Sequence, residues 1–412
     1  MSHQYDVAVI GAGPAGSVVS ALLQRRGWRV CVLEKQHFPR FVIGESLLPH
    51  CMEMLEEAGF TEALKAEPRF QFKNGAAFTW GSRYTYFDFT DKFSPGPGTT
   101  YQVRRDVFDH ILIQEAAKQG VEVRFGHGVT AFDNSGDSAR LSVETDEGRQ
   151  YTLEARFVLD ASGYGRVLPR LLDLETPSSL PVRMAHFTHI DDNITSPKFD
   201  RNKILITTHP VQRNVWFWTI PFGDNRCSIG VVGLAEDLAG DSETVLKKWV
   251  YECPMLAEIL DKAVWDNGFP FRSIQGYSAN VKSLYGRHFA LLGNAAEFLD
   301  PVFSSGVTIA MHSAKLAAEL LDKQFKGKEA DWQGEFAEPL MLGVNTFRTY
   351  VNGWYDGRFQ DVIYAENRNP DISRMLSSIL AGYAWDSNNP YVDKAERRLA
   401  ALAELVGPAT CA

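Results

Sequence analysis

The spacing of apolar and polar residues divides the chain into three parts. The amino-terminal part has continuous apolar runs, typical of strands buried on both faces in parallel sheets, separated by segments with helical spacing. The middle part alternates apolar and polar residues and is rich in Thr, Val, Ile and Trp, which predicts an antiparallel sheet. The last part is almost entirely helical. Strands are predicted at 7–10, 29–33, 71–90, 121–125, 138–160, 182–233 and 287–292, and helices over 14–26, from directly after Ser46 to near 59, over 104–119 and from about 304 onward.

A glycine-rich segment, Gly11-Ala12-Gly13-Pro14-Ala15-Gly16, joins the first predicted strand to the first helix. Gly11 permits a tight turn, Gly13 lets the backbone approach a pyrophosphate, and Gly16 lets the helix pack closely on the strand. Free amides at the start of the helix then favour phosphate groups. Glu34 ends the second strand, where a carboxylate can hold both ribose hydroxyls and would repel a 2′-phosphate. The pattern predicts a dinucleotide site that does not take NADP.

Composition excludes several classes of protein. The 412 residues are 45% hydrophobic and 23% charged, which is ordinary for a globular protein, and predict two to three domains. The formal net charge of −9 provides no basic surface for a phosphate backbone, so we expect no nucleic-acid partner. No apolar run approaches the roughly 18 residues of a spanning helix, so we expect no membrane partner.

Five scattered cysteines, an odd number without a Cys-x-x-Cys pair, indicate a reducing compartment and no zinc site. Residues 1–6 contain no basic or apolar region of a signal peptide, so a cytoplasmic location is expected. His186 and His189 are three apart on a predicted strand and therefore on opposite faces, which argues against a shared metal. We predict no metal.

Two later segments decide between FAD and NAD. Asp160-Ala161-Ser162-Gly163 and Gly293-Asn294-Ala295-Ala296, followed by Asp300-Pro301, each come after a buried strand. Together with the glycine-rich segment 11–16, these two segments resemble those of the flavoprotein family that includes aromatic hydroxylases, geranylgeranyl reductases and flavin-dependent halogenases. Asn294 stands where the family usually has Asp, and it keeps the hydrogen-bonding capacity without the charge. Arg40, Ser46 and Arg105 also match family positions near FAD, although each arginine alone reads equally well as a solvated surface charge.

The resemblance implies an α/β fold with a Rossmann-type FAD-binding domain similar to that of aromatic hydroxylases, an inserted antiparallel-sheet substrate domain and C-terminal helices. The predicted FAD-binding domain comprises residues 1–70, 99–180 and 275–330. Residues 71–98 and 181–274 form the substrate-side domain, and 331–412 the helical region. The implied FAD-binding residues are Gly11, Gly13, Pro14, Ala15, Gly16, Glu34, Arg40, Ser46, Arg105, Asp160, Gly293, Asn294, Asp300, Gly306 and Val307.

Residues 216–221 read Trp-Phe-Trp-Thr-Ile-Pro. On a strand, Trp216, Trp218 and Ile220 share one face, so two indoles lie side by side. Core packing explains such a pair in most proteins. The Trp-x-Trp-x-Ile-Pro pattern, however, resembles the one in flavin-dependent halogenases, in which the indoles would keep organic substrate away from the flavin.

Lys73 stands among apolar and small residues in Phe72-Lys73-Asn74-Gly75-Ala76. A single lysine is usually a solvated surface group. The resemblance instead implies the catalytic lysine of the halogenases, on a segment opposite the FAD-binding turns.

The segment 300–307 combines Pro, Gly and small residues at a predicted helix start, which leaves backbone amides free to bind an anion. A helix cap by Ser304 or Ser305 is the alternative. The resemblance implies a halide site at Ser304, Ser305 and Gly306, with Phe303, Trp216 and Trp218 toward substrate. Tryptophan halogenases carry Glu in place of Phe303 and large insertions that are missing here.

The implied activity is halogenation: reduced FAD, O2 and halide yield hypohalous acid, and Lys73 passes the halogen to an electron-rich ring. The branch acting on phenol, pyrrole or carrier-tethered substrates matches best, with a separate flavin reductase as partner. Two alternatives stay open: a reductase, dehydrogenase or hydroxylase of the wider family, and a non-catalytic FAD-binding partner or redox sensor. In the C-terminal helices, aromatic residues at 347–355 pack the core or wall the substrate pocket.

Overall fold

Parallel and antiparallel strands form two large sheets, to which helices are added on the outside and at the carboxyl end. The computed structural model describes residues 4–178 and 180–411; residues 1–3, which belong to the amino-terminal stretch considered above, lie outside the described part. The strands are β1 (Tyr5–Ile10), β2 (Val30–Glu34), β3 (Gln71–Lys73), β4 (Gly75–Trp80), β5 (Arg83–Asp88), β6 (Thr100–Gln102), β7 (Glu122–Phe125), β8 (His127–Asp133), β9 (Ala139–Thr145), β10 (Gln150–Asp160), β11 (Glu175–Thr176), β12 (Arg183–Asp191), β13 (Lys203–Thr208), β14 (Trp216–Pro221), β15 (Arg226–Leu234), β16 (Arg272–Gln275), β17 (Asn280–Val281), β18 (Tyr285–Gly286) and β19 (Phe289–Leu291).

Helices cover the outer faces and most of the last hundred residues. The helices are α1 (Pro14–Arg25), α2 (Cys51–Glu57), α3 (Thr61–Lys65), α4 (Arg105–Lys118), α5 (Val167–Leu171), α6 (Ser242–Tyr251), α7 (Pro254–Ile259), α8 (Ser305–Phe325), α9 (Glu338–Tyr355), α10 (Arg358–Ile363), α11 (Pro370–Leu380), α12 (Pro390–Asp393) and α13 (Ala395–Val406).

The first sheet has the strand order β18-β19-β10-β1-β2-β7, with the β8–β9 hairpin continuing from β10. β1 lies between β10 and β2, parallel to both, with Val9 opposite Leu159 and Val32. These three residues are fully buried, which is why the strand sequences are continuously apolar. The predicted nucleotide-binding topology of an α/β protein is confirmed.

The second sheet has the order β16-β12-β15-β14-β13-β4-β5. Its neighbours are antiparallel except β13 and β4, which pair in parallel. The antiparallel sheet predicted for the middle of the chain is therefore confirmed, and β4 and β5 from the amino-terminal part complete it. The division of the chain into three domains stays a prediction.

One predicted helix is wrong at its start. Residues 47–50 are not helical, and α2 begins only at Cys51. Ser46 instead makes a bridge to Gln102 next to β6, and the Val103 amide donates to the Glu45 carbonyl. Local sequence could not show this, because the partner strand lies over fifty residues away. Among the described residues, none of the helices is long and apolar enough to cross a membrane.

Candidate functional site: a flavin cleft with an indole wall

A cavity of about 1140 Å³ separates the two sheets. One side is formed by the carboxyl ends of β1, β2 and β10, represented by Ile10, Glu34 and Ala161. The other side is a face of the second sheet, including Ala185 of β12 and Ile204 of β13. Ligands of open α/β sheets bind at the carboxyl ends of the strands, so this cleft is the candidate site.

Each of the three loop glycines is required for a different structural reason. Gly11 has a φ of +97°, and a Cβ there would lie 2.6 Å from the Ala161 carbonyl oxygen. A Cβ on Gly16 would overlap the Gly11 carbonyl oxygen, so this glycine serves helix–strand packing. A Cβ on Gly13 would have only the Arg40 guanidinium nearby, at 3.6 Å. Gly13 lines the cavity, so its missing side chain leaves room for a ligand rather than for protein.

Glu34 ends β2 at the edge of the same cleft and is buried. Its Oε2 accepts a hydrogen bond from the Ala12 amide at 2.9 Å, and its Oε1 accepts one from the Gln36 amide at 2.8 Å. Two backbone donors therefore fix the carboxylate at the edge of the cavity, where its remaining lone pairs could accept from ribose hydroxyls.

Two arginines of the cavity wall share one buried acid. Arg105 makes a two-pronged contact with Asp109, at 2.7 and 2.9 Å, and Arg40 reaches the same carboxylate at 3.0 Å. Asp109 is fully buried. Two guanidinium groups with one carboxylate leave a net positive charge beside the glycine loop, as an anionic pyrophosphate requires.

The start of α8 forms the opposite end of the cleft. Ser304 adopts a left-handed conformation, φ +57°, and no side chain caps the helix, so the predicted serine cap is not made. Ser304, Gly306 and Val307 line the cavity together with Gly293 and Asn294. Ser305 is buried and Phe303 packs against Trp354 and Phe359; neither is a lining residue.

The predicted indole wall is present. Trp216, Trp218 and Ile220 of β14 all line the cavity, and the two indole centroids are 6.1 Å apart. A Cβ on Gly230 of the neighbouring strand would overlap the Trp218 ring, so this glycine makes space for the indole. Both indoles are buried, so the wall that Trp216 and Trp218 form is rigid as well as apolar.

Lys73 does not line the cavity but lies next to a residue that does, Ser46. It is fully buried, and its Nζ donates to the Ser46 hydroxyl at 2.8 Å and to the Leu47 carbonyl at 2.7 Å. Burial lowers the pKa of Lys73 to about 7. The expectation that Lys73 lies on a segment opposite the FAD-binding turns is wrong. Lys73 directly contacts Ser46, one of the predicted FAD-binding residues. The pairing of β3 with β6 brings the two residues together.

Most predicted FAD-binding residues meet at the cleft, and three do not line it. Gly16 packs the loop. Asp160 is fully buried, and it accepts from the Ser162 and Leu168 amides at 2.9 and 2.6 Å, thereby shaping the turn after β10. Asp300 accepts from the Val302 amide at 3.0 Å and so shapes the turn before α8. The lining members of the predicted set are Gly11, Gly13, Pro14, Ala15, Glu34, Arg40, Ser46, Arg105, Gly293, Asn294, Gly306 and Val307.

Sequence reasoning missed several residues of the site. Asp109 carried a signal, because it follows Arg105 by four residues on a helix. Tyr277 lines the cavity without any local pattern that marks it. Tyr355, which helical spacing predicts in the core or in the pocket wall, donates to Asp300, a contact that the spacing does not show. The buried pair of Glu45 and His189, whose Oε1 and Nε2 atoms are 2.6 Å apart, links the loop before α2 to β12 and is equally invisible in the sequence.

Four apolar and aromatic residues of α9 are core residues, as the helical spacing favoured. Phe347, Tyr350, Val351 and Trp354 are fully buried and do not line the cavity. His186 and His189 do face opposite sides, toward Ser242 and Glu45 respectively. Within residues 4–178 and 180–411, no three His, Cys, Asp or Glu side chains are grouped to hold a metal.

The residues of the cleft fit an FAD molecule. The open space over Gly13 and the two arginines suit a pyrophosphate, and Glu34 could hold a ribose. The uncapped start of α8 lines the same cleft, which therefore suits a dinucleotide cofactor.

Comparisons with known proteins agree with this geometry. A family model described as an FAD binding domain matches residues 4–333. A 1H-pyrrole-2-carbonyl-[peptidyl-carrier protein] chlorinase of Pseudomonas fluorescens is 29% identical, with 97% of this chain and 94% of that enzyme aligned. The flavin-dependent halogenase armH3 of Armillaria mellea is 31% identical over 78% of this chain and 68% of its own length.

A solved structure, described as a flavoprotein/dehydrogenase from Cytophaga hutchinsonii, is 44% identical and superposes with a TM-score of 0.93, covering 97% of this chain and 98% of that one. The fold is thus shared over nearly the whole length of both chains. Together with the family match, and with the halogenases aligned along most of the chain, this shows that the protein belongs to the FAD-binding-domain family and, within it, to the flavin-dependent halogenases.

Proposed function

We propose that this protein halogenates an electron-rich aromatic substrate and that Lys73 carries the halogen. The observation on which the proposal rests is a fully buried lysine whose pKa is lowered to about 7, one hydroxyl away from a flavin cleft walled by two indoles. A buried amine that is partly neutral near pH 7 is a nucleophile, which a solvated lysine is not.

Bound FAD, once reduced, supplies with O2 and halide the hypohalous acid that the transfer needs. Gly13, Glu34, Arg40 and Arg105 would hold the cofactor, and the backbone at Ser304 to Gly306 would hold the halide. Ser305 shapes this turn from behind, since it is buried. Trp216 and Trp218 keep an organic substrate from reaching the flavin, so that oxygen is not transferred to it directly.

The transfer then uses the neutral amine of Lys73. Its lone pair takes the halogen from hypohalous acid, giving a haloamine and water; the ring then takes the halogen, loses a proton and regenerates the amine. Ser46 lines the cavity and accepts from Nζ, so a single hydroxyl separates the amine from the cavity. Alternatively, a protonated Lys73 holds hypohalous acid by a hydrogen bond.

We propose a phenol or pyrrole, free or tethered to a carrier protein, as substrate. The pyrrole-carrier chlorinase aligns along nearly the whole chain, which supports this class. A separate flavin reductase would supply the electrons, because the one glycine-rich phosphate loop is the one used by FAD. Five free cysteines, four of them buried, support a cytoplasmic location.

To test this, the protein is incubated with FAD, NADH, a flavin reductase, chloride or bromide, and a panel of phenols, pyrroles and indoles. The isotope pattern of the products is measured by mass spectrometry. A halogenated ring that requires both the reductase and halide supports the proposal. Rapid bleaching of bound FAD by NADH alone, with an oxidised, reduced or hydroxylated substrate and no halogen, would move the function to a dehydrogenase or hydroxylase.

A further inference from the structure

A chain of hydrogen bonds joins the indole wall to the turn before α8. The Trp216 Nε1 donates to the Tyr355 hydroxyl at 2.9 Å, and that hydroxyl lies 2.9 Å from Asp300 Oδ2. The other oxygen of Asp300 accepts from the Val302 amide at 3.0 Å, inside the turn that leads to Ser304. Three side chains from separate elements thus connect one side of the cleft to the other.

The direction of these bonds is fixed by chemistry. An indole N–H can only donate, so the Tyr355 oxygen accepts from Trp216 and uses its single proton toward Asp300. The Tyr277 hydroxyl also points to Asp300 Oδ2, at 3.4 Å. Asp300 therefore accepts all of these hydrogen bonds, as an ionised carboxylate can.

The charges around Asp300 support that state. Burial raises the pKa of Asp300 to about 6, opposed by its hydrogen bonds from Val302 and Tyr355 and by the charge of Arg183. The Arg183 guanidinium lies 3.2 Å from the centre of the Tyr355 ring and is itself buried. At neutral pH the carboxylate is ionised and holds Tyr355 in place.

The second indole lacks such a connection. Trp218 donates to the Ser228 hydroxyl at 3.0 Å, within the second sheet. Of the two wall residues, Trp216 is thus the one that is connected by hydrogen bonds to the turn before α8.

Resting on the proposed function, we propose that Tyr355 is a positioning residue that couples the Trp216 wall to the halide-binding turn through Asp300. The Tyr355 hydroxyl fixes the indole and residues 301–304 relative to each other. This fixed arrangement of the wall and the turn would limit loss of oxidant as free peroxide.

The test uses Tyr355→Phe, which removes the hydroxyl and keeps the ring. Tyr350→Phe is the matched control: it lies on the same helix, and its hydroxyl donates to the Tyr391 carbonyl, away from the cleft. Amide hydrogen exchange of the FAD-free proteins is followed on peptides covering residues 299–308. Loss of one hydrogen bond should speed exchange there by about three- to tenfold in Tyr355→Phe and leave it unchanged in Tyr350→Phe.

Trp216→Phe breaks the same chain one bond earlier and should speed exchange in that segment by a smaller factor. Thermal melting identifies variants that are folded. Folded Tyr355→Phe and Trp216→Phe proteins with unchanged exchange at residues 299–308 would overturn the coupling.

With FAD and reductase present, the fraction of consumed O2 that appears as halogenated product should fall several-fold in Tyr355→Phe, with peroxide rising, and stay constant in Tyr350→Phe. A Tyr355→Phe enzyme as well coupled as the wild type would also overturn the inference. Should the wild type not halogenate at all, the proposed function fails while the exchange experiment still decides the coupling.

Discussion

The Nζ atom of Lys73 lies 2.8 Å from the hydroxyl of Ser46, and in the described part of the chain no carboxylate pairs with this amine. A buried lysine without a counter-ion costs stability unless it gives up its proton. The proposed halogen transfer, which needs a partly neutral amine, gives this arrangement a chemical reason.

Lys73→Ala should bind FAD and consume O2 as the wild type does, because the variant leaves the glycine loop and both arginines intact. Halogenated product should fall at least ~10²-fold, with peroxide released instead. Lys73→Arg should fail as well, since a guanidinium stays protonated. Lys203→Met, which removes another buried lysine, is the control and should keep product formation. Normal halogenation by Lys73→Ala would refute the role of the amine.

The titration of Lys73 gives a pH dependence with a defined sign. Its pKa falls from 10.5 in the unfolded chain to about 7 in the folded protein. Between these values the unfolded chain binds one more proton, so stability rises with pH from about 7 toward 10.5. The difference in free energy of unfolding between wild type and Lys73→Met should therefore change in favour of the wild type over this range, as measured by urea unfolding.

The same titration separates the two roles of the amine. A haloamine needs the neutral form, so halogen transfer to a phenol should increase as the pH rises through about 7. A transfer rate that falls over this interval, while O2 consumption stays level, would favour the protonated lysine as a hydrogen-bond donor. Quenched-flow measurement of product after mixing with hypohalous acid reads this step without the flavin reaction.

Gly13→Val should abolish FAD binding without unfolding the protein. The new Cβ meets no protein atom closer than the Arg40 guanidinium at 3.6 Å, but it occupies the space of the pyrophosphate. Gly16→Val is the contrasting variant, because its Cβ overlaps the Gly11 carbonyl oxygen and should lower the melting temperature. Visible absorbance of bound flavin and thermal melting separate the two effects. Undiminished yellow colour in Gly13→Val would contradict the assignment of this loop.

Asp109→Asn should weaken both FAD binding and the fold. The substitution leaves Arg40 and Arg105 without their shared buried carboxylate, and breaking a buried ion pair costs about 3–5 kcal/mol. Asp106→Asn, on the same helix, removes the acid of a partly exposed pair with Arg104 and should cost about 1 kcal/mol or less. Flavin titration and denaturant unfolding test both variants. Equal effects of the two changes would contradict the role of Asp109.

Sequence by itself determined the parts of this protein that depend on local pattern. The glycine loop between β1 and α1, Glu34 at the end of β2 and the paired indoles of β14 each follow from residues within a short segment. A turn, a helix start and a strand face are fixed by neighbouring residues, so their spacing can be read directly.

Tertiary structure decided which of these segments meet and what state their side chains adopt. Lys73 contacts Ser46 because β3 pairs with β6, a pairing between distant parts of the chain, and the resulting burial lowers the pKa of the amine. Tyr355 meets Trp216 and Asp300 only because α9 packs beside the second sheet. Burial and hydrogen bonding depend on neighbours brought together by folding, and no spacing along the chain encodes them.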